Sequence, residues 1–371
     1  MVDKTASLNV RSAKRKVVRP KGKPLSSQEQ ERLAHVVAAL YWGKARITQA
    51  DIARRLRLSA VQVGRLLRLA EDLGFVSRPV VHAANNRELE ASLLRAFPSL
   101  RRASVVLADA RLPLQDRINA VALCAAEFWA DYLRPRDGER LRVALGGGRA
   151  IARLVDSVPD PGPEAALELL ALSNIPSGDA EVSANTNLAV VKRRFPDRDI
   201  VIRPLLAMQL SPEMSESDIR RERKRILSLR IVQQHLNDAA ACRLVFVGIG
   251  SFDDPNLWER IKELGVKRSG LSPKAIGDLI YNLVHDDDQV FHKDSPLDTR
   301  VITVPVATLV DTARREDSLV VAIAWGREKA RPALAAQRAG AYNVLICDEG
   351  MAEEMLGLVR EHPSREGPLH G

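Results

Sequence analysis

Four short stretches of this 371-residue chain combine glycine with charge in a way that suits an anionic, hydroxylated ligand. The first is Gly146-Gly147-Gly148-Arg149, which follows the apolar run Leu141–Leu145. Successive glycines let backbone N–H groups approach an anion at a helix N-terminus, and Arg149 would add a charge-assisted contact. A tight strand-to-helix turn is the plainer reading of the same residues. The second stretch is Gly248-Ile249-Gly250-Ser251-Phe252-Asp253, a loop expected after a strand ending at Val247. The third is Gly277-Asp278, whose carboxylate suits sugar hydroxyls or, equally, the capping of a helix. The fourth is Trp325-Gly326-Arg327-Glu328-Lys329, where the lysine falls in the first turn of a helix. A cation there opposes the helix dipole. An anion bound between the lysine and the helix end would explain the position; a solvated surface lysine is the alternative.

Other chemistries are disfavoured. A dinucleotide fingerprint would need glycine at positions occupied by Ile151 and Asp253, and the Lys-Ser/Thr ending of a P-loop is missing, so no cofactor is expected. His285 and His292 flank Asp286, Asp287 and Asp288, but the spacing matches no compact ligand set. Hydrated loop acids are the reading there, with no metal. No serine or cysteine sits in a nucleophile elbow, and no paired catalytic carboxylates stand out, so no catalytic residue is assigned.

The elements that must position these stretches read as alternating strands and helices. β-rich runs at 141–145, 166–172, 200–204, 244–247, 301–306, 319–324 and 343–346 are mostly separated by helical segments. The pattern predicts a doubly wound, mostly parallel α/β sheet, with a helix over 114–133 leading into its first strand. The glycine stretches then fall at carboxyl ends of strands, where open α/β sheets bind ligands.

A different unit precedes it. Thr48 is a plausible N-cap for a short helix with Ile52, Ala53 and Leu56 on one face. Arg57 and Leu58 make a tight connection, and Ser59 caps a second helix with Val63, Leu66, Leu67 and Ala70 inward, closed by Gly74. The outward positions Gln62, Arg65 and Arg68 could reach bases or phosphates, as in a helix-turn-helix lying in a major groove. Thr48, Gln49 and Ser59 complete the expected DNA-facing set. A supporting helix from Ser27 to about Trp42 carries Leu33, Val36, Val37 and Leu40 inward, and residues 76–81 read as a strand that could form a wing. The expected organisation is a basic tail over 1–25, a helix-turn-helix head over 26–85, an effector domain over 86–360 and a tail over 361–371.

Charge separates head from body. Residues 1–80 hold 17 Lys or Arg against 6 Asp or Glu, a net of +11, which leaves −2 for the rest of a chain that totals +9. A basic head on a slightly acidic body is the footprint of nucleic-acid binding coupled to another task. No apolar run approaches the roughly 20 residues of a membrane span. Cys124, Cys242 and Cys347 are sparse and odd in number, which fits a reducing cytoplasm better than a disulfide framework.

The ordered chain resembles the SorC family of sugar-binding transcriptional regulators, also described as deoxyribonucleoside-regulator-like. The blocks TQADIARRL, VGRLLRLAEDLGFV, LGGGRAI, SGDAEVSANTNLAV, FVGIGSFDDP, SPKAIGDLI and VVAIAWGREKARPALAAQRAGAYNVLICDE follow the family's order over roughly 27–350. The resemblance implies a helix-turn-helix joined to a domain related to phosphosugar isomerases but without isomerase activity. It further implies operator DNA and a sugar, sugar phosphate or polyol effector as partners, and a homotetramer. It maps a phosphate loop to Gly146–Arg149, a phosphate-binding lysine to Lys329, a sugar-contacting acid to Asp278, and places Asn185 near the ligand. Against it stands an active sugar-phosphate isomerase or kinase with an accessory DNA-binding head.

Overall fold

A computed structural model describes residues 26–361 apart from 43–46, 74, 76–83, 108–112, 134–139, 175–181, 209, 211–213, 288–289 and 292–294. The expected basic tail, the wing-like strand, Gly74, Asp288, His292 and the chain beyond Glu361 lie outside the described residues. The chain folds as two compact units, Met1–Val81 and His82–Gly371.

The first unit contains α1 (Ser27–Trp42), α2 (Gln49–Leu56) and α3 (Ala60–Asp72). Ala34, Val37 and Ala38 of α1 close over Ile52 of α2 and Val63, Leu66, Leu67 and Ala70 of α3. Of the four residues expected inward on α1, Val37 is buried and Leu33 and Leu40 pack against this core, but Val36 is 42% exposed and the small Ala34 and Ala38 flank Val37 instead. Both N-caps form as their residue types require. Thr48 Oγ1 accepts the Asp51 N–H at 3.2 Å, and Ser59 Oγ accepts the Gln62 N–H at 3.2 Å. The chain reverses between α2 and α3 through Arg57 in the left-handed conformation (φ 54°).

The second unit runs α4 (Arg87–Ala96), β1 (Arg102–Val106), α5 (Leu114–Leu133), β2 (Arg140–Leu145), α6 (Arg149–Ser157), β3 (Ala166–Ala171), β4 (Ser173–Asn174), α7 (Ala184–Arg194), β5 (Asp199–Arg203), α8 (Glu216–Leu227) and α9 (Arg230–Ala240). It continues through β6 (Leu244–Ser251), α10 (Pro255–Glu263), β7 (Ala275–Leu279), β8 (Asn282–His285), β9 (Ile302–Thr303), α11 (Val306–Arg314), β10 (Leu319–Ile323), α12 (Ala330–Arg338), β11 (Val344–Asp348) and α13 (Glu349–Glu361). Seven strands pair in parallel in the order β1-β11-β10-β6-β2-β3-β5. Alternate residues feed two cores. Leu145, Phe246 and Ile323 pack with Trp129 of α5, whose ring stacks on Phe246 at 5.2 Å. Ala144, Val247 and Leu345 pack with Leu334 of α12 and Met351 of α13. Helix cover on both faces is what lets the central strands β6 and β10 be almost wholly apolar.

From β2 the chain moves outward to β3 and β5; from β6 it moves the other way, to β10 and β11. The winding thus reverses between β2 and β6, and a reversal of this kind opens a crevice at the carboxyl ends of the two strands.

Several expected elements differ. The first strand is β1, which precedes the helix over 114–133 rather than following it; its three exposed or half-buried residues Arg102, Ala103 and Ser104 hide the apolar signal. Residues 84 and 85, expected at the end of the head, sit against β1, with Asn85 bridging Val106. The expected strand over 301–306 reduces to β9, which pairs antiparallel with β4 outside the main sheet, and Val306 already begins α11. The loop expected after Val247 is strand: β6 continues to Ser251 and pairs antiparallel with the hairpin β7–β8. That hairpin turns through Ile280 and Tyr281, both at positive φ (46° and 66°). Turns of this form normally announce themselves as Asn-Gly, and here they do not.

Candidate functional site

At the crevice between β2 and β6 lies an open cleft, lined from the β2 side by Gly147 and Gly148 and from the β6 side by Gly248 and Gly250. The glycine loop forms one wall. α6 starts at Gly148 (φ 97°) with no side-chain cap, so its first-turn N–H groups face the cleft unprovided for by the protein's own side chains. The loop is held from behind: the Gly146 N–H donates to Phe246 O at 2.9 Å, and the Gly148 N–H donates to Val182 O at 2.7 Å. A Cβ on Gly147 would stand 3.0 Å from Val182 O. Gly147, Gly148 and Arg149 line the cavity, whereas Gly146 is packed beneath them and does not.

Lys329 lies opposite, in a one-turn 3-10 helix leading into α12. It is only 6% exposed, and its Nζ sits 4.3 Å from the centroid of the Trp325 ring. Among the described residues no group hydrogen-bonds or ion-pairs with that Nζ. Burial lowers its pKa, opposed by the field of Asp254 and reinforced by that of Arg149. The surface-lysine alternative fails: this is a desolvated cation against an aromatic face, in the same cleft as a helix end that favours anions.

Asp278 is in β7, not at a helix start, so the helix-cap alternative also fails. Its Oδ2 accepts the Tyr281 N–H at 2.8 Å and so clamps the strained turn of the hairpin. The carboxylate lies directly over Gly250, where a Cβ would come within 2.0 Å of Asp278 Oδ1. Burial raises the Asp278 pKa, against the Tyr281 hydrogen bond and the nearby charges of Arg260 and Lys329.

Arg149 is not free to serve an anion alone, because it forms an ion pair with Asp254, the N-cap of α10. Burial pushes the Asp254 carboxyl up, but hydrogen bonds from Asn256 and the charges of Arg149 and Lys329 outweigh it, and its pKa is lowered. Arg260 of α10 also lines the cleft, and its Nε is buried with no hydrogen-bond partner among the described residues. The cleft therefore brings together three cations and two carboxylates, with one carboxylate biased toward its protonated form. A doubly charged anion with hydroxyl groups complements such a lining.

Besides Gly146, two expected residues are not brought to the cleft. Asn185 is bound to Leu205 in both directions, donating to its O and accepting its N–H, each at 3.0 Å. Asn187, two residues on and fully buried, touches the site instead by donating to Gly146 O at 3.1 Å. Gly326 donates its N–H to Asp348 Oδ1 at 3.0 Å, and the Glu328 carboxylate folds over its α-carbon. Residues that sequence reasoning missed are Asp254, Arg260 and Tyr281. The Asp254-Pro255 pair does carry an N-terminal helix signature, but nothing in the sequence tells which way Arg260 reaches. Asp286 pairs with Arg331, and no metal-like cluster occurs among the described residues.

In the first unit Thr48, Gln49, Ser59, Gln62, Arg65 and Arg68 are all exposed, on α2, α3 and their caps. The side chain of Gln62 is partly occupied, because its Oε1 accepts the Ser59 N–H at 2.8 Å. Val61, 64% exposed at the start of α3, was not singled out by sequence. A methyl-bearing side chain there suits contact with a thymine methyl.

The family model described as "Putative sugar-binding domain" matches residues 81–357. The sorbitol operon regulator of Klebsiella pneumoniae is 27% identical over 164 residues, 44% of this chain and 50% of that protein. The chain thus spans about half the length of this curated relative. Among solved structures, the full-length sorbitol operon regulator SorC from Klebsiella pneumoniae aligns with a TM-score of 0.62 at 22% identity, covering 88% of this chain and 98% of that one. A DeoR family transcriptional regulator from Listeria monocytogenes aligns at 0.53 and 19% identity, covering 72% and 98%. At these identities the structural likeness concerns the fold.

Proposed function

We infer function from one premise: the chain belongs to the SorC-type family of sugar-binding domains. The reading is a transcriptional regulator whose α2–α3 unit holds operator DNA and whose cleft takes a small sugar phosphate or phosphorylated polyol. The observation that carries it is Lys329, a buried cation with no hydrogen-bond or ion-pair partner among the described residues, lining the same cleft as the uncapped start of α6. Such an arrangement costs stability when empty, and a bound phosphate group offsets that cost. Asp278, Trp325 and Arg260 then face the remainder of the ligand. The effector residues proposed are Gly147, Gly148, Arg149, Asp278 and Lys329. Those proposed for DNA are Thr48, Gln49, Ser59, Gln62, Arg65 and Arg68. The homotetramer and the cytoplasmic location belong to the same proposal.

Regulation requires that the effector favour one state over another, since a ligand with equal affinity for both shifts nothing. The test is a thermal-shift screen of the full chain against inorganic phosphate, sugar phosphates, polyol phosphates and their unphosphorylated forms, followed by retention on operator DNA with each hit. A phosphorylated compound should raise the melting temperature and change DNA retention, and its unphosphorylated form should do neither at equal concentration. A protein stabilised equally by both forms, or one whose DNA retention ignores every hit, would sink the reading.

A further inference from the structure

The two edges of the parallel sheet are treated differently. At β1 the outer side is occupied: the Asn86 N–H donates to Val105 O at 2.7 Å, and the Leu107 N–H donates to Ala84 O at 2.8 Å. At the other end β5 pairs with β3 alone, and among the described residues nothing pairs with its outer side. Val201 and Ile202 in β5 and Leu206 just beyond it are 41%, 36% and 45% exposed. An open edge carrying apolar side chains is a template for another strand unless something blocks it.

The sequence of β5, Asp199-Ile200-Val201-Ile202-Arg203, is complementary to itself in the antiparallel sense. Pairing two copies about Val201 sets Asp199 opposite Arg203 of the partner subunit, and Ile200 opposite Ile202 of the partner subunit. In-register parallel pairing would instead set like charges side by side, which is unfavourable. Asp199 and Arg203 have in-chain partners, Arg140 at 2.5 Å and Glu168 at 2.9 Å, yet their side chains stay 56% and 52% exposed and can accept a second contact. Pro204 follows and has no N–H to donate, which ends the ladder after five residues. We propose that β5 is an isologous contact joining two copies of this chain into one continuous sheet, with the Asp199–Arg203 pairs setting its register. The proposal does not depend on the effector reading.

Sedimentation velocity of the full chain tests it. Asp199→Lys and Arg203→Glu, each alone, place like charges at both ends of the ladder and should weaken this association about tenfold or more. Mixed in equal amounts, the two variants again oppose positive to negative at both ends, so association should return to near the parent level. A simple folding defect would not be rescued by mixing. A parent chain that stays monomeric, variants that assemble like the parent, or a mixture that regains nothing would each overturn the proposal. Should either charge variant lose its cooperative melt, Val201→Glu decides: its side chain is already part-exposed, so the fold should persist while association falls. Unchanged association in that variant would likewise overturn it.

Discussion

On α3, Arg65 and Arg68 stand in solvent, whereas Lys329 and Asp278 in the cleft are 6% and 7% exposed. The glycines of the two regions differ in the same way. Gly64 of α3 has nothing within 4 Å of where a Cβ would lie, while a Cβ on Gly277 would meet Gly250 O at 2.1 Å and Pro332 Cβ at 2.9 Å. The head carries its charge on a locally specified scaffold of caps and one small core, with its side chains open to water. The cleft carries Lys329 and Asp278 in a packed interior, where both were desolvated during folding. Attraction of the first kind is long-ranged and salt-sensitive; binding of the second kind is short-ranged and selective.

That contrast can be broken at four points, in order of expected effect. Gly277→Ala has no room to relax, because its neighbours are backbone and a proline ring, and should destabilise the body by about 3 kcal/mol or more in a denaturant melt. A loss under about 1 kcal/mol would mean the hairpin seat is softer than its contacts indicate. Lys329→Met keeps the shape and removes the charge. It should weaken phosphorylated-effector binding by about 10- to 100-fold in calorimetry, while DNA retention without effector stays near the parent value.

The same lysine makes the cleft pH-sensitive in a defined direction. Its folded-state pKa is lowered by burial, so the charged form costs stability below that pKa. As pH rises from there toward the ordinary lysine value, the unfolded chain binds more protons than the folded one, and unliganded stability rises. Anion binding should fall across the same window. Parallel pH titrations of stability and affinity check this, and both trends should vanish in Lys329→Met.

Arg65→Ala should lower operator affinity by about tenfold and reduce the magnitude of the salt slope by about one, leaving the effector's thermal shift unchanged. A changed thermal shift would tie the two regions together more closely than this contrast allows. Smallest of all, Gly64→Ala should stabilise the head by at most about 1 kcal/mol, since the methyl enters open space on a helix. A destabilised head would show that the position is crowded.

What could be read from the chain divides along the same line. The caps at Thr48 and Ser59, the inward faces of α2 and α3, the glycine loop before α6 and the positions of most parallel strands are marked by local composition, periodicity or capping chemistry, which the sequence carries directly. Val36 reads falsely as inward because alanines, weak as hydrophobic markers, supply the inward face of α1. Hairpin β7–β8 is illegible because Ile280 and Tyr281 occupy conformations they disfavour, held there by Asp278 and the surrounding core. The partnering of Arg149 with Asp254, the placement of Arg260 and the exchange of Asn185 for Asn187 beside the loop depend on segments up to about a hundred residues apart in the chain. By itself, then, the sequence determined a basic helical head, a doubly wound body and the glycine and lysine that mark the cleft. Only the tertiary structure decided which charges are buried, which are paired and which remain to be met by a ligand, because desolvation and long-range pairing exist only once the sheet has brought β2 and β6 side by side.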